Sequence, residues 1–209
     1  AMRIGLVITS LLASLVGIPL IFFGGWEMIL VGAACVLFAF LYTTYFSYLG
    51  LGDVLVLFFF GIVPVVFTTY VILPDHSQAL CFDVLMSGVI CGLVIDTLLV
   101  VNNYRDREND KRDGKITLIV RIGEKKAEKL YLVLGLMTYL QMLLLLFSGE
   151  RDTLLPFIFL FIIFIPYGIL HYKTAMQMKQ IKKGKELNII LAQTARNMLI
   201  YGIATTIAI

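Results

Sequence analysis

Apolar residues run through this chain in long blocks, and short polar segments separate the blocks. Seven blocks reach the length of about 20 residues that a helix needs to cross a bilayer. They cover residues 4–23, 28–48, 54–73, 80–101, 130–147, 154–172 and 187–209. The pattern predicts an all-α fold, a polytopic transmembrane helical bundle with seven spans, and a single domain over residues 1–209.

The composition agrees with a chain embedded in a membrane. Of the 209 residues, 60% are hydrophobic and 15% are charged, and the mean hydropathy is +0.93. These values exclude a soluble domain. We therefore expect an integral membrane protein that is surrounded by membrane lipids.

Lysine and arginine residues are concentrated in two loops, which follow the fourth and the sixth predicted span. If all seven spans form, both loops lie on the same side of the membrane, and the loops on the other side contain only Arg151. Because positively charged loops tend to stay in the cytoplasm, the pattern predicts that both loops are cytoplasmic, in a bacterial inner membrane. The net charge of +3 is then a topology signal, and we expect no nucleic-acid partner.

The cysteine and histidine residues do not form a recognisable site in the sequence. Cys35, Cys81 and Cys91 fall inside apolar blocks without a C-x-x-C spacing, which favours small buried side chains over metal ligands. His76 and His171 each stand alone at the edge of a loop. The sequence therefore supports neither a zinc site nor a catalytic pair with histidine.

Carboxylates and amides follow the fourth apolar block directly. If the helix continues, Asn102, Asp106 and Asp110 lie on one face, and Asp113 extends that face while Asn103 borders it. Stacked carboxylates repel one another, so we expect a cation between them. Oxygen ligands without cysteine or histidine suit a hard ion such as Mg²⁺.

Bases flank this acidic stripe, and a glycine follows it. Arg105, Arg107, Lys111 and Arg112 fall on the flanks, and Gly114 occupies the position at which a helix C-cap would end the stripe. An alternative interpretation is a solvated helix end that ion pairs stabilise. That alternative would not explain why acids and bases fall on different faces.

A Mg²⁺ site beside bases at the membrane edge suits a diphosphate whose hydrocarbon tail enters the membrane. Metal and bases would stabilise the leaving diphosphate, and aromatic rings would shield an allylic cation. Tyr42, Tyr45 and Tyr48 recur every three residues and could supply such rings, or they could form an interfacial aromatic belt. Asp53 ends a Gly-Leu-Gly turn. Its side chain could either cap the loop or contact an aromatic substrate.

The polar segment resembles the second aspartate-rich motif of the UbiA superfamily of intramembrane aromatic prenyltransferases. Its form is most similar to that of the 1,4-dihydroxy-2-naphthoate prenyltransferases of menaquinone synthesis. Weaker matches lie at residues 41–43, 48–53, 187–188 and 194–195. The motif reads Asn102-Asn103-x-Arg105-Asp106-x-x-x-Asp110-x-x-x-Gly114-Lys115-x-Thr117-Leu118, and continues as Val120-Arg121-x-Gly123.

The resemblance implies a fold of nine helices with two aspartate-rich motifs that face each other across a cavity on the cytoplasmic side. In that fold, carboxylates hold Mg²⁺ that is bound to a polyprenyl diphosphate. The roles implied by motif position are catalytic metal ligation for Asp106 and Asp110, lining of the metal site for Asn102 and Asn103, and diphosphate binding for Arg105 and Lys115. We add Tyr42 and Asp53 as candidate substrate contacts.

One motif of the family is not found in the sequence. The family carries an N-D-x-x-D-like motif before its third helix, and these 209 residues contain no such sequence. Seven spans also equal nine minus the first two. We therefore expect the chain to be the C-terminal part of the enzyme.

The function that the resemblance implies is transfer of a polyprenyl group to 1,4-dihydroxy-2-naphthoate, with loss of CO₂, to give demethylmenaquinone. Another acceptor, such as 4-hydroxybenzoate or homogentisate, is an alternative within the family. A non-catalytic membrane relic is an alternative from a different class. A transporter with Asp96 and Arg196 along its pathway is a third, although paired half-helix signals are absent from the sequence.

Overall fold

The computed structural model describes residues 2–147 and 154–208, and these residues form helices and turns without a strand. The all-α prediction is confirmed. Arg151, the single cation predicted on the opposite side of the membrane, lies outside the described residues.

The chain is divided into eleven α-helices within the described ranges, and two short π-helical segments extend or precede them. The first group of elements is α1 (Met2–Gly17), α2 (Leu20–Gly24), α3 (Glu27–Leu41), the π-helical segment Tyr42–Phe46, α4 (Gly52–Val56), the π-helical segment Leu57–Ile62, α5 (Val63–Ile72) and the 3₁₀-helix His76–Leu80. The second group is α6 (Phe82–Arg112), α7 (Leu118–Ile122), α8 (Glu124–Met137), α9 (Leu140–Phe147), α10 (Leu154–Ile181) and α11 (Leu187–Ala208).

Four helical stretches within the described residues are long and apolar enough to cross a membrane. They are Glu27–Phe46, Gly52–Ile72, Phe82–Arg112 and Ile158–Ile181. These stretches correspond to the second, third, fourth and sixth predicted spans. The protein is therefore a polytopic helical membrane protein, as the sequence predicts.

The first and fifth predicted spans are interrupted in the structure. Pro19 is the N-cap of α2 and lies two residues after α1 ends, since proline has no N–H to continue the hydrogen bonds of the preceding helix. Between α8 and α9, Thr138 turns its hydroxyl back to donate to Gly135 O at 2.6 Å, a bond that competes with the regular helix. An apolar run alone therefore overestimates the length of both helices.

The long helix α6 is the central element of the fold, and it packs against the segment Leu57–Ile62, α8 and α11. Glycines permit the closest of these approaches. A Cβ atom on Gly61 would lie 2.5 Å from the carbonyl oxygen of Gly88 and from Cα of Gly92. The two α6 glycines are four residues apart, the spacing of close helix contacts in membranes.

A short loop, residues 47–51, is fixed on the segment that follows α6. Ile116 N donates to Tyr48 O at 3.2 Å, and Arg121 Nη2 donates to Leu49 O at 2.6 Å. Gly50 has φ 72°, and a Cβ atom there would lie 2.5 Å from Ile116 O, so glycine is required at this contact. The loop places Tyr42 and Asp53 beside the polar end of α6.

Candidate functional site

The polar end of α6 closes with a Schellman motif. Gly114 has φ 75°, Gly114 N donates to Lys111 O at 3.4 Å, and Lys115 N donates to Asp110 O at 2.8 Å. The predicted helix end at Gly114 is confirmed. Because the chain reverses here, Lys115 Nζ comes to 3.5 Å from Asp110 Oδ1.

Arg105 forms hydrogen bonds with the polar side chains on one side of α6. Its guanidinium donates to both oxygens of Asp106, from Nε to Oδ1 at 2.8 Å and from Nη2 to Oδ2 at 2.6 Å. Nη2 also donates to Asn102 Oδ1 at 2.9 Å, and Nη1 donates to Asn188 Oδ1 at 3.0 Å. The guanidinium therefore connects the end of α6 with the start of α11.

A narrow pocket lies between the loop 47–51 and α6, with a volume of about 10 Å³. This volume is close to that of a single water molecule. Four of the predicted site residues meet here. The pocket is lined by Tyr42, Ser47, Gly50, Gly52, Asp53, Asn103, Lys115 and Thr117.

Several carboxylate oxygens near this pocket are buried without a hydrogen-bond partner among the described residues. They are both oxygens of Asp53, Oδ1 of Asp96 and Oδ2 of Asp110. Asp53 is 9% exposed and Asp96 is 6% exposed. Leaving a buried polar group unpaired costs about 1–3 kcal/mol, so these oxygens indicate a place where a cation or a hydrogen-bond donor binds.

A wider cleft of about 390 Å³ opens on the other side of the α6 end. Its lining mixes bases with acids, but Arg107 is already paired, at 2.8 Å from Nη2 to Glu124 Oε2. The lysines of the cleft are exposed. The lining consists of Arg105, Asp106, Arg107, Glu108, Asn109, Lys183, Gly184, Lys185 and Asn188.

The predicted acidic stripe is divided between the two cavities. Asn103 lines the narrow pocket and Asp110 lies beside it, whereas Asp106 lines the wide cleft. Asp113 is largely exposed and lies 3.6 Å from Arg112 Nε, so it does not extend the site. The guanidinium of Arg105, on the flank of the stripe, reaches across to Asp106.

Comparison with known proteins places the chain in a family. Residues 2–190 match the UbiA prenyltransferase family. The chain belongs to this family. In comparison with solved structures, no match was found.

Several relatives carry a name that refers to one acceptor, 1,4-dihydroxy-2-naphthoate. The chain is similar to 1,4-dihydroxy-2-naphthoate octaprenyltransferase of Mycobacterium tuberculosis, with 32% identity over 94% of this chain and 64% of the relative. It is similar to the Escherichia coli protein of the same name, with 32% identity over 61% of this chain and 43% of the relative. A UbiA prenyltransferase domain-containing protein 1 homolog of Drosophila melanogaster is 29% identical over 91% of this chain and 47% of the relative. The chain thus spans less than two thirds of the length of these relatives.

The oxygen donors of the motif fit a hard metal ion such as Mg²⁺. Within residues 2–147 and 154–208, no group of three or more histidines, cysteines or acids is arranged to hold a metal ion. The motif offers oxygen donors only, and Asp110 Oδ2 is buried without a partner. Mg²⁺ typically uses one or two carboxylates together with phosphate oxygens, which is the donor set that this UbiA-family motif supplies.

The structure adds residues that the sequence prediction did not include. Ser47 and Thr117 line the narrow pocket, and Asn188 binds Arg105. Asn188 belongs to one of the weaker motif matches, and that match could have identified it as a site residue. Thr117 belongs to the principal motif, which was its signal, whereas Ser47 gave no comparable signal, because only the docking of the loop brings it to the pocket.

Asp96 and Arg196 differ in burial. Asp96 is buried on α6, whereas Arg196 is exposed on α11 and donates to Asn197 Oδ1 at 3.2 Å. This arrangement does not favour the transporter alternative.

Proposed function

We propose that the protein transfers a polyprenyl group from polyprenyl diphosphate to 1,4-dihydroxy-2-naphthoate, in a reaction that depends on Mg²⁺. The names of the relatives support this acceptor. The observation that carries the proposal is that Asp106 and Asp110, four residues apart, each lie beside a base of the same motif at the end of a membrane-spanning helix. Such an arrangement suits a metal–diphosphate whose hydrocarbon tail enters the membrane.

Each group has a role in this proposal. Asp106 and Asp110, with Asn102 and Asn103, would hold the metal, and the metal would neutralise charge on the leaving diphosphate. Arg105 and Lys115 would bind phosphate oxygens. The adjacent side chains that would face the acceptor are Tyr42 and Asp53.

The bond changes follow from the acceptor. A ring carbon of the naphthoate forms a bond to C1 of the prenyl group, while the bond from C1 to the diphosphate oxygen breaks. The ring then loses its carboxylate as CO₂, and the electrons of the broken C–C bond stay with the ring. The product is the hydroquinone demethylmenaquinol, which a two-electron oxidant outside the enzyme would convert to demethylmenaquinone.

A direct test uses membranes that contain the full-length gene product. We expect a prenylated naphthoquinone from polyprenyl diphosphate and carboxyl-labelled 1,4-dihydroxy-2-naphthoate, with release of labelled CO₂ and loss of product after chelation of Mg²⁺. 4-Hydroxybenzoate and homogentisate serve as competing acceptors. Product from one of these alone would contradict the naphthoate proposal, and a lack of product from any acceptor would favour a non-catalytic protein.

We also propose that the site faces the cytoplasm of a bacterial cell. Single cysteines at positions 112, 182 and 76, in a protein without Cys35, Cys81 and Cys91, test this topology. A membrane-impermeant maleimide added to intact cells should label position 76 and leave 112 and 182 unlabelled until the cells are opened. Labelling of 112 and 182 from opposite sides would contradict the proposed topology.

A further inference from the structure

Each carboxylate of the motif already lies against a base of the motif. Both oxygens of Asp106 accept from the guanidinium of Arg105, at 2.6 and 2.8 Å. Asp110 Oδ1 lies 3.5 Å from Lys115 Nζ. These are the same two bases that the proposed function assigns to the diphosphate.

The two pairs differ in how completely the acid is occupied. Asp106 has a guanidinium on both oxygens, so a metal that uses this carboxylate must displace Arg105. Asp110 has an ammonium near one oxygen only, and its Oδ2 is buried without a partner. A metal would thus find one free carboxylate oxygen at Asp110 and would compete with a base for the rest.

Both bases lie next to space into which they can move. Arg105 lines the wide cleft, and its Nη1 is hydrogen-bonded to Asn188 on that side. Lys115 lines the narrow pocket, whose volume of about 10 Å³ is close to the minimum that one water molecule needs. Neither base belongs to the buried apolar core, so each can leave its acid without disturbing helix packing.

We propose that Arg105 and Lys115 are internal counter-ions that exchange partners when the substrate binds. Without substrate they neutralise Asp106 and Asp110, and with metal–diphosphate the carboxylates bind the metal while the bases turn to phosphate oxygens. The exchange rests on the proposed function, and it involves no covalent step. Its consequence is that the site binds free metal poorly and binds metal and diphosphate cooperatively, since each removes a competitor of the other.

Metal binding to the substrate-free protein tests this exchange. Mn²⁺ affinity is measured by electron paramagnetic resonance on the purified full-length gene product in detergent. We expect Arg105→Gln and Lys115→Met each to bind free Mn²⁺ about two- to fivefold more tightly than the wild type, the effect of removing one partly exposed ion pair. The same variants should bind a non-hydrolysable prenyl thiodiphosphate with Mn²⁺ more weakly than the wild type.

Matched variants separate this exchange from a general change of charge. Arg112→Gln and Lys111→Met remove the same charge from the same helix end, where the side chains are exposed, and should leave the Mn²⁺ affinity nearly unchanged. In an Asp106→Asn background, Arg105→Gln should no longer tighten Mn²⁺ binding. This result would show that the gain comes from the released carboxylate.

The outcomes distinguish the two proposals. Unchanged or weaker free Mn²⁺ binding in both Arg105→Gln and Lys115→Met, beside a wild type that binds the thiodiphosphate with Mn²⁺, would overturn the exchange alone. A wild type that does not bind the thiodiphosphate even with Mn²⁺ would overturn the proposed function.

Discussion

The membrane half of α6 and its polar end differ in how closely their atoms are packed. Near Gly88 and Gly92 the helix meets the segment Leu57–Ile62 so closely that an added methyl group would overlap backbone atoms. At the polar end, Asp110 Oδ2 is buried without a partner. The packed half fixes the position of the helix, and under the proposed function the unpaired oxygen of Asp110 at the polar end would bind the metal.

The largest effect, on the rate of prenyl transfer, is expected from substitutions at the polar end of α6. Asp106→Asn or Asp110→Asn removes a proposed metal ligand without changing the size of the side chain, so prenyl transfer by the full-length gene product should fall about 10²- to 10³-fold. The thermal unfolding midpoint should change little. Initial rates at saturating Mg²⁺ measure the first effect, and circular dichroism measures the second.

Glu108→Gln is the matched control, because Glu108 is exposed on the same turn of α6 and, among the residues that the structure describes, forms no ion pair with Arg105 or Lys115. Its activity should remain near that of the wild type. Equal losses in all three variants would show that the carboxylates act through overall charge and not through a defined site.

In the packed half of α6, an increase in side-chain volume should lower the stability of the protein. Gly61→Ala places a Cβ atom 2.5 Å from backbone atoms of α6, and such overpacking typically costs about 1–3 kcal/mol. We expect a lower thermal unfolding midpoint in detergent. Gly202→Ala is the control, since no atom lies within 4 Å of its added Cβ. If both variants unfolded at the wild-type temperature, the close approach would not contribute to stability.

The predictability of the two halves also differs. The helix end at Gly114 could be predicted because a left-handed glycine is a local feature of the chain. The contact of Arg105 with Asp106 and Asn188 could not, since it depends on a side-chain conformation and on a helix that lies about 80 residues further along the sequence. The helix break at Pro19 could be predicted from the proline itself, but the prediction of the span relied on the length of the apolar run alone.

A smaller effect, on both stability and substrate binding, is expected at Asp53. Its two oxygens are buried and unpaired, so Asp53→Asn removes an unfavourable buried charge and should leave the unfolding midpoint equal or higher. The acceptor KM should rise about tenfold, as expected for the loss of one charged hydrogen bond of about 1.5 kcal/mol. Asp83→Asn, at the exposed start of α6, should change neither quantity. A lower midpoint with an unchanged KM would mean that Asp53 only caps the loop.

The smallest effect is expected where the polar end of α6 meets α11. Asn188→Ala removes the hydrogen bond from Arg105 Nη1 but leaves the bonds to Asp106 and Asn102. One exposed hydrogen bond contributes about 0.5–1 kcal/mol. A loss of that free energy corresponds to a two- to fivefold rise in the KM for polyprenyl diphosphate. The kcat should remain nearly unchanged. Asn109→Ala provides the matched control, since Asn109 accepts a bond from Arg112 at 3.2 Å, on an exposed turn. An equal rise in both variants would mean that Asn188 has no particular role in orienting Arg105. A rise in Asn188→Ala alone would instead show that the start of α11 positions the guanidinium for the diphosphate.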